Sequence, residues 1–369
     1  PNLIGLARDP FVLWGDYGAA GFSDTWGSFP PLLPLFFGLL VWPWLALFGP
    51  FWGIRLGVLS WSIVTLGAFH LTIGRIDGVT AERRRLLMWV FVLLPSLLGA
   101  IAFIPQEEIY VALFALALYA AARMGKWRVV YALLLLTMLA GKYFLLVLVF
   151  PLAVYSPRPW RNLLLWGGTA AALLGLYIGY HRLYFGLSPI LGHMIDPGSS
   201  LSVWALFWNL GLRLPPVAVK YLSVVFVVIA SFFFARSSRR SGAPLAFAFA
   251  GVLYSTLLLL SITFSAYVLW AVPFALICAG MTGDSRYRAW IVLLAVLWGV
   301  AEWGANFFRG VKLALETERA AGKTALAMAA ERALGAGFPF GLLHVALVAL
   351  VVVFGIGMVL LIRRSHRFV

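Results

Sequence analysis

Three aspartates, Asp9, Asp16 and Asp24, stand close together near the start of the chain, interleaved with Phe11, Trp14, Tyr17, Phe22 and Trp26. The run Phe29-Pro30-Pro31-Leu32 follows them. A carboxylate in such a setting is suited to take the proton from an acceptor hydroxyl as it attacks an anomeric carbon, with the rings as a platform for sugar or lipid. A turn role, in which Asp side chains bond the backbone of Gly-rich loops, accounts for any one of the three but less well for all three together. Farther on, Gln106, Glu107 and Glu108 are consecutive after Pro105, where adjacent carboxylates repel unless a cation, a proton or a basic partner intervenes. They read either as a polar cluster that orients substrate or holds a divalent ion, or as an ordinary solvated turn. Lys142 sits in an apolar run with Leu139, Ala140, Tyr143, Phe144 and Leu145. An ammonium there is expensive in lipid. It suits a point charge for a lipid-linked phosphate, or else a structural pair with Glu107 or Glu108.

His181, Arg182, His193, Asp196 and Arg213 fall in one long interval between apolar runs, where any of them could meet a phosphate or a leaving group. Their spacing matches no metal-ligand motif, and a lone His there is more often interfacial. Glu302, beside Trp303 and one turn before Asn306, lines the same cavity or sits at an interface, while His70 and His344 are assigned to packing and headgroup anchoring. Cys278 is the single cysteine, which excludes a disulfide framework and a thiolate metal site built from this chain. Nucleotide-binding loops, dinucleotide fingerprints, paired zinc-ligand motifs and nucleophile elbows are missing, which argues against nucleotide-driven pumps and soluble-type redox chemistry; a divalent cation is the one cofactor entertained.

The elements that position these residues follow from composition. Hydrophobic residues make up 63% of the 369 and charged ones 11%, with a mean hydropathy of +0.97. A soluble core of this length cannot bury that much apolar surface. Lipid must cover the rest, and repeated apolar runs of roughly 20 residues form helices, because hydrocarbon offers no partner to an unbonded N–H. The expected fold is an all-α polytopic integral membrane protein of about 10–11 hydrophobic segments. A net charge of +15 suggests nucleic acid until the basic residues are placed. They gather between apolar runs at Arg75 with Arg83, Arg84 and Arg85; at Arg123, Lys126 and Arg128; at Arg158 and Arg161; at Arg236, Arg239 and Arg240; at Arg286 and Arg288; and at Arg363, Arg364 and Arg367. That is a topology signal, and it puts all six clusters in the cytoplasm with an even number of crossings between neighbours.

Spans are therefore expected at residues 87–104 and 109–122, turning outside at Pro105 to Glu108. A compact hairpin between Arg128 and Arg158 has Lys142 near its outer tip. Further spans follow at 162–179, 217–235, 244–260, 267–281, 289–307 and 338–362. Residues 309–337 read as an outer amphipathic helix lying on the membrane. Near the N-terminus, Pro30, Pro31, Pro34, Pro43 and Pro50 make 35–49 a poor straight helix. We expect a broken or re-entrant element there, with residues 1–30 kept outside as an acidic loop. No internal repeat or long linker divides the chain, so 1–369 is taken as one transmembrane domain: core 31–308, then the outer helix, then the last span and a cytoplasmic tail at 338–369. The first residue is Pro1, and no cleavable leader precedes the loop. Either an initiator Met has been trimmed or an upstream segment is absent.

The run Phe103-Ile-Pro-Gln-Glu-Glu-Ile-Tyr110, the basic turn Arg123-Met-Gly-Lys-Trp-Arg128, Ala140-Gly-Lys142, Pro151 and Pro157-Arg-Pro-Trp-Arg161 resemble the polyprenyl-phosphate-mannose-dependent mannosyltransferase family of the glycosyltransferase-C superfamily. So does an acidic first loop, with Asp9 or Asp16 ahead of Phe29-Pro-Pro-Leu32. The resemblance covers residues 9–161 and extends beyond them only as topology. It departs in two ways: the superfamily normally has a spanning helix before the acidic loop, and the loop here is short, which leaves Asp9, Asp16 and Asp24 in competition for the base. The resemblance implies a polyprenyl-phosphate sugar donor, a glycan, lipid or protein acceptor, and inversion at the anomeric carbon. It also implies a bacterial or archaeal plasma membrane with the active site on its outer face. A transporter or flippase of lipid-linked sugar, or a structural subunit of a membrane complex, explains part of the pattern. Alternating access, however, leaves polar residues in both halves of the membrane, and a structural role gives no reason for one-sided acids.

Overall fold

The computed structural model describes residues 33–102, 108–140, 143–185, 202–260, 265–320 and 340–369. Among them every regular element is helical and no strand occurs. Helices at Phe51–Gly74, Val217–Arg240, Ser285–Ala305 and Leu342–Phe368 are long and apolar enough to cross a membrane, which bears out the transmembrane character read from composition. Shorter apolar helices, Phe36–Gly49, Trp127–Ala140, Leu145–Tyr155, Leu245–Leu259 and Val272–Met281, lie among them. Among the described residues only some of the expected spans are thus long enough to cross, and the interruptions have local causes.

The first helix, α1 (Leu33–Gly74), is a hairpin that reverses at Gly49, whose φ of 70° lies in the left-handed region that favours glycine. Its arms pack almost backbone to backbone, since a Cβ on Gly53 would lie 2.6 Å from the Leu45 Cα and one on Gly57 would lie 2.5 Å from a Val41 methyl. Two indoles tie the arms together: Trp44 Nε1 donates to Ser60 Oγ at 2.8 Å, and Trp61 Nε1 donates to the Phe37 carbonyl at 3.0 Å. The single span expected over 87–104 is instead two helices, α2 (Ala81–Val92) and α3 (Pro95–Ala102). Pro95 has no N–H to continue the ladder and disfavours helical backbone at Leu94.

After α4 (Glu108–Arg123) and α5 (Trp127–Ala140) comes a 3₁₀ segment, Tyr143–Leu148, which leads into α6 (Val149–Tyr155). Helix α7 (Pro159–Phe185) runs past the expected end near 179, so the backbone of His181 and Arg182 is helical rather than loop. The short α8 (Val203–Asn209), then α9 (Pro216–Arg240) and α10 (Leu245–Leu259), lead to a second break. There Leu260 is extended, a 3₁₀ turn covers Ser265–Trp270, and α11 (Val272–Met281) restarts with Pro273 in its first turn, where its missing N–H costs nothing. Helix α12 (Ser285–Ala320) continues without interruption into the stretch expected to lie on the membrane surface, and α13 (Phe340–Ser365) returns antiparallel to it. His344 Nδ1 lies 3.1 Å from the Ala305 carbonyl and Tyr287 stacks on Phe368 at 4.4 Å, marking the two ends of that pair.

The six basic clusters meet at one end. Arg84 donates to the Gly74 carbonyl, and Arg123 pairs with Asp77 at 3.6 Å. A Cβ on Gly280 would touch Leu87 and Val79. The Gly283 N–H donates to the Phe368 carbonyl, and the Phe247 ring lies 6.2 Å from His366. Arg239 donates to the Tyr155 carbonyl while the Tyr155 hydroxyl donates to that of Ala243, and Arg236 lies over Trp160. Between that end and the helix breaks lies a core in which Tyr119, Phe249 and Phe274 meet edge to face or tilted. Cys278 is buried in α11, as a packing residue rather than a reactive thiol.

Candidate functional site

Two buried carboxyl groups stand in the half of the bundle away from the basic end. Glu108 opens α4, and Glu302 lies on α12; their residues are 2% and 1% exposed. At 1.5 Å per residue, Glu108 is roughly 22 Å along the axis from Arg123, and Glu302 roughly 21 Å from Arg288. Both acids therefore stand at a similar distance from the basic end.

The break between α10 and α11 supplies their partners. Trp270, at the end of the 3₁₀ turn, donates its Nε1–H to Glu108 Oε2 at 2.6 Å, and its ring stacks on Tyr267 at 4.4 Å. The backbone N–H of Val268, in the same turn, donates to the Glu302 carboxylate, which lies within electrostatic reach of Glu108. An unbroken helix would spend that N–H on its own ladder. The break between α2 and α3 supplies the rest: Ser96, in the first turn of α3, donates to Glu302 Oε2 at 3.4 Å. Small residues let α3 and α12 approach closely enough for this bond, because a Cβ on Gly99 would lie 2.6 Å from the Trp303 indole and one on Gly299 would lie 2.9 Å from Ser96 Oγ. From the other side, Thr65 of α1 donates to the Ile109 carbonyl, and the Tyr110 hydroxyl donates to the Ala140 carbonyl at the end of α5. Tyr254, fully buried against Trp298 at 4.9 Å, has a hydroxyl without a hydrogen-bond partner among the described residues.

Chemically, paired carboxyl groups in an apolar surround accept hydrogen bonds strongly and favour groups that bring protons or positive charge to them. An indole, a hydroxyl and a backbone N–H already do so here. No family model, curated protein or solved structure matches the chain. What the site does must be read from its own residues.

Of the residues singled out from the sequence, Glu108 is buried rather than part of a solvated turn, and Glu302, read as lining a cavity or an interface, is buried too. The structure brings the two together. Asp9, Asp16, Asp24, Gln106, Glu107, Lys142, His193 and Asp196 lie outside the described residues, and of His181 and Arg182 only the helical backbone is described. Among the described residues no group of three His, Cys, Asp or Glu stands close enough to hold a metal ion. Sequence reading missed Trp270, Ser96 and Thr65. Trp270 is one of 16 tryptophans with nothing to distinguish it, although the Pro273 that follows marks the break that frees it.

Because the Trp270 N–H and the Glu108 carboxyl are both buried, removing either takes a buried hydrogen bond from the other. Trp270→Phe and Glu108→Leu should each destabilise the protein by about 1–3 kcal/mol. The double variant should lose less than the two losses added, as measured by unfolding in detergent micelles. Strict additivity would mean that the two groups do not interact.

Proposed function

We propose that this protein is a membrane glycosyltransferase that moves a sugar, mannose or a similar hexose, from a polyprenyl-phosphate donor to a glycan, lipid or protein acceptor on the extracytoplasmic face. The observation that carries the proposal is the burial of Glu108 and Glu302 at one depth in the bundle, far from the basic end. Ionisable groups inside a membrane are costly and mark sites by default. Carboxylates at that depth suit a sugar, whose hydroxyls are donors. The breaks after α2 and α10 open backbone polar groups at the same level, which is tolerated in a membrane only where protein or a cavity receives them.

In this reading one of Asp9, Asp16 and Asp24 is the general base. It takes the proton of the acceptor hydroxyl as the new C–O bond forms with inversion and the polyprenyl phosphate leaves with the electrons of the broken bond. Lys142 neutralises the departing phosphate. Glu108 and Glu302 hold sugar hydroxyls, and Gln106 and Glu107 extend that surface. The glycosyltransferase-C relation belongs to the same proposal and rests on the motifs of residues 9–161.

The test is transfer of labelled sugar from polyprenyl-phosphate mannose or a related donor, in membranes carrying the wild type, Asp9→Asn, Asp16→Asn, Asp24→Asn and Lys142→Met. Loss of a general base lowers turnover by 10²–10⁴-fold, so one Asp variant should be nearly inactive and the Lys variant weakened. Normal transfer in all four overturns the site assignment. No wild-type transfer from any donor, with lipid-linked sugar crossing the membrane instead, overturns the enzyme in favour of a transporter.

A further inference from the structure

At the basic end, a groove of about 370 Å³ runs between the last turns of α1 and of α4. Its walls are Leu71, Leu113, Leu116 and Ala117, and its mouth carries Arg75 and Arg123. It opens sideways at Leu71, which is 61% exposed and in a membrane protein faces acyl chains. We infer that this groove binds an anionic diacyl phospholipid, with an acyl chain along the leucine wall and the phosphate between the Arg75 and Arg123 guanidinium groups.

Three observations support that occupant. The groove volume lies in the range of small-molecule sites, yet its lining is apolar except at the rim, as a lipid tail with a polar head requires. The charge at the rim is complementary to phosphate. Basic pockets between membrane helices on the cytoplasmic side are suited to anionic headgroups, and planar guanidinium forks match phosphate oxygens in pairs. Finally, Arg123 is held at the rim beside Tyr119 rather than waving in solvent: it pairs with Asp77 at 3.6 Å. Asp77 is fully exposed, so a phosphate can displace its carboxylate without burying an acid.

The full chain, purified in detergent, is offered palmitoyl-oleoyl phosphatidylglycerol, the matching phosphatidylcholine and a polyprenyl phosphate, and retained lipid is counted by native mass spectrometry. The wild type should retain phosphatidylglycerol over phosphatidylcholine. Arg75→Gln with Arg123→Gln should weaken that retention about 30-fold, as expected from two basic residues at a membrane surface. Ala117→Phe should abolish it by filling the groove while leaving the charges in place, and Asp77→Asn, which frees Arg123, should strengthen it. Equal retention of both phospholipids, or undiminished retention in the double Arg and Ala117 variants, overturns the proposal. Preference for polyprenyl phosphate that is lost in the same variants also overturns it, by making the occupant a prenyl lipid. Sugar transfer is not read in this experiment, so its outcome is independent of the proposed enzyme activity.

Discussion

Glu302→Gln should slow sugar transfer about 100-fold while leaving the fold nearly as stable as the wild type. Glutamine has almost the same shape and keeps one acceptor oxygen for the bonds that Ser96 and the Val268 N–H now make to the carboxylate. What it loses is the second carboxyl oxygen as an acceptor. A buried hydrogen bond left unmade costs about 1–3 kcal/mol, and the upper part of that range corresponds to about 100-fold in rate when the bond is made to a sugar hydroxyl in the transition state. Glu302→Leu is the harsher change, because it leaves Ser96 and Val268 without an acceptor in a buried place, so stability and transfer should both fall. Rates from membranes at matched expression, with thermal unfolding of each variant in detergent, separate the two effects. A Glu302→Gln enzyme with wild-type turnover would make the acid pair a structural feature and remove the observation on which the proposed function stands.

A second large effect is expected from a single methyl group. Gly53→Ala places a Cβ 2.6 Å from the Leu45 Cα and 2.7 Å from the Leu45 nitrogen. Those are backbone atoms, so no rotamer change can relieve the contact and the arms of α1 must part. Alanine is favoured over glycine in a helix by about 1 kcal/mol, but overpacking costs about 1–3 kcal/mol. The separation also breaks the Trp44–Ser60 and Trp61–Phe37 bonds across the hairpin. The net change is destabilising, by about 2 kcal/mol. Gly67→Ala is the control: nothing stands within 4 Å of its Cβ, so the helix preference should act alone and the variant should be slightly more stable. Unfolding midpoints of the two variants in the same micelle should move in opposite directions. Equal shifts would mean that the arms do not touch.

Much of the fold is legible in particular residues. Arg75, Arg123, Arg239 and Arg367 lie in different segments, yet the contacts of their clusters place them at one end of the bundle, as expected of loops that share a face. The same charges predict the even crossings only loosely, because Pro95 cuts an apolar run into α2 and α3 and Pro273 restarts a helix after Trp270. Each proline was visible in the sequence. What was not visible is how far a break displaces the next helix, since that depends on the neighbours it meets.

Residue types and their spacing are enough to say that the chain is helical and lies in lipid, which residues mark one face, and that Glu108 needs an explanation. These follow from local physics: transfer of apolar side chains, the bonding demand of the backbone in hydrocarbon, and the bias of basic loops. That Glu302 stands level with Glu108 emerges from the packing, with Ser96 reaching Glu302 across 206 residues of chain and Trp270 reaching Glu108 across 162. The physical reason is that lipid tails are as apolar as leucine. Hydrophobicity drives helices into the membrane but does not choose their neighbours, and the choice falls to close-packing glycines such as Gly99 and Gly299 and to a few buried hydrogen bonds between segments distant in the chain.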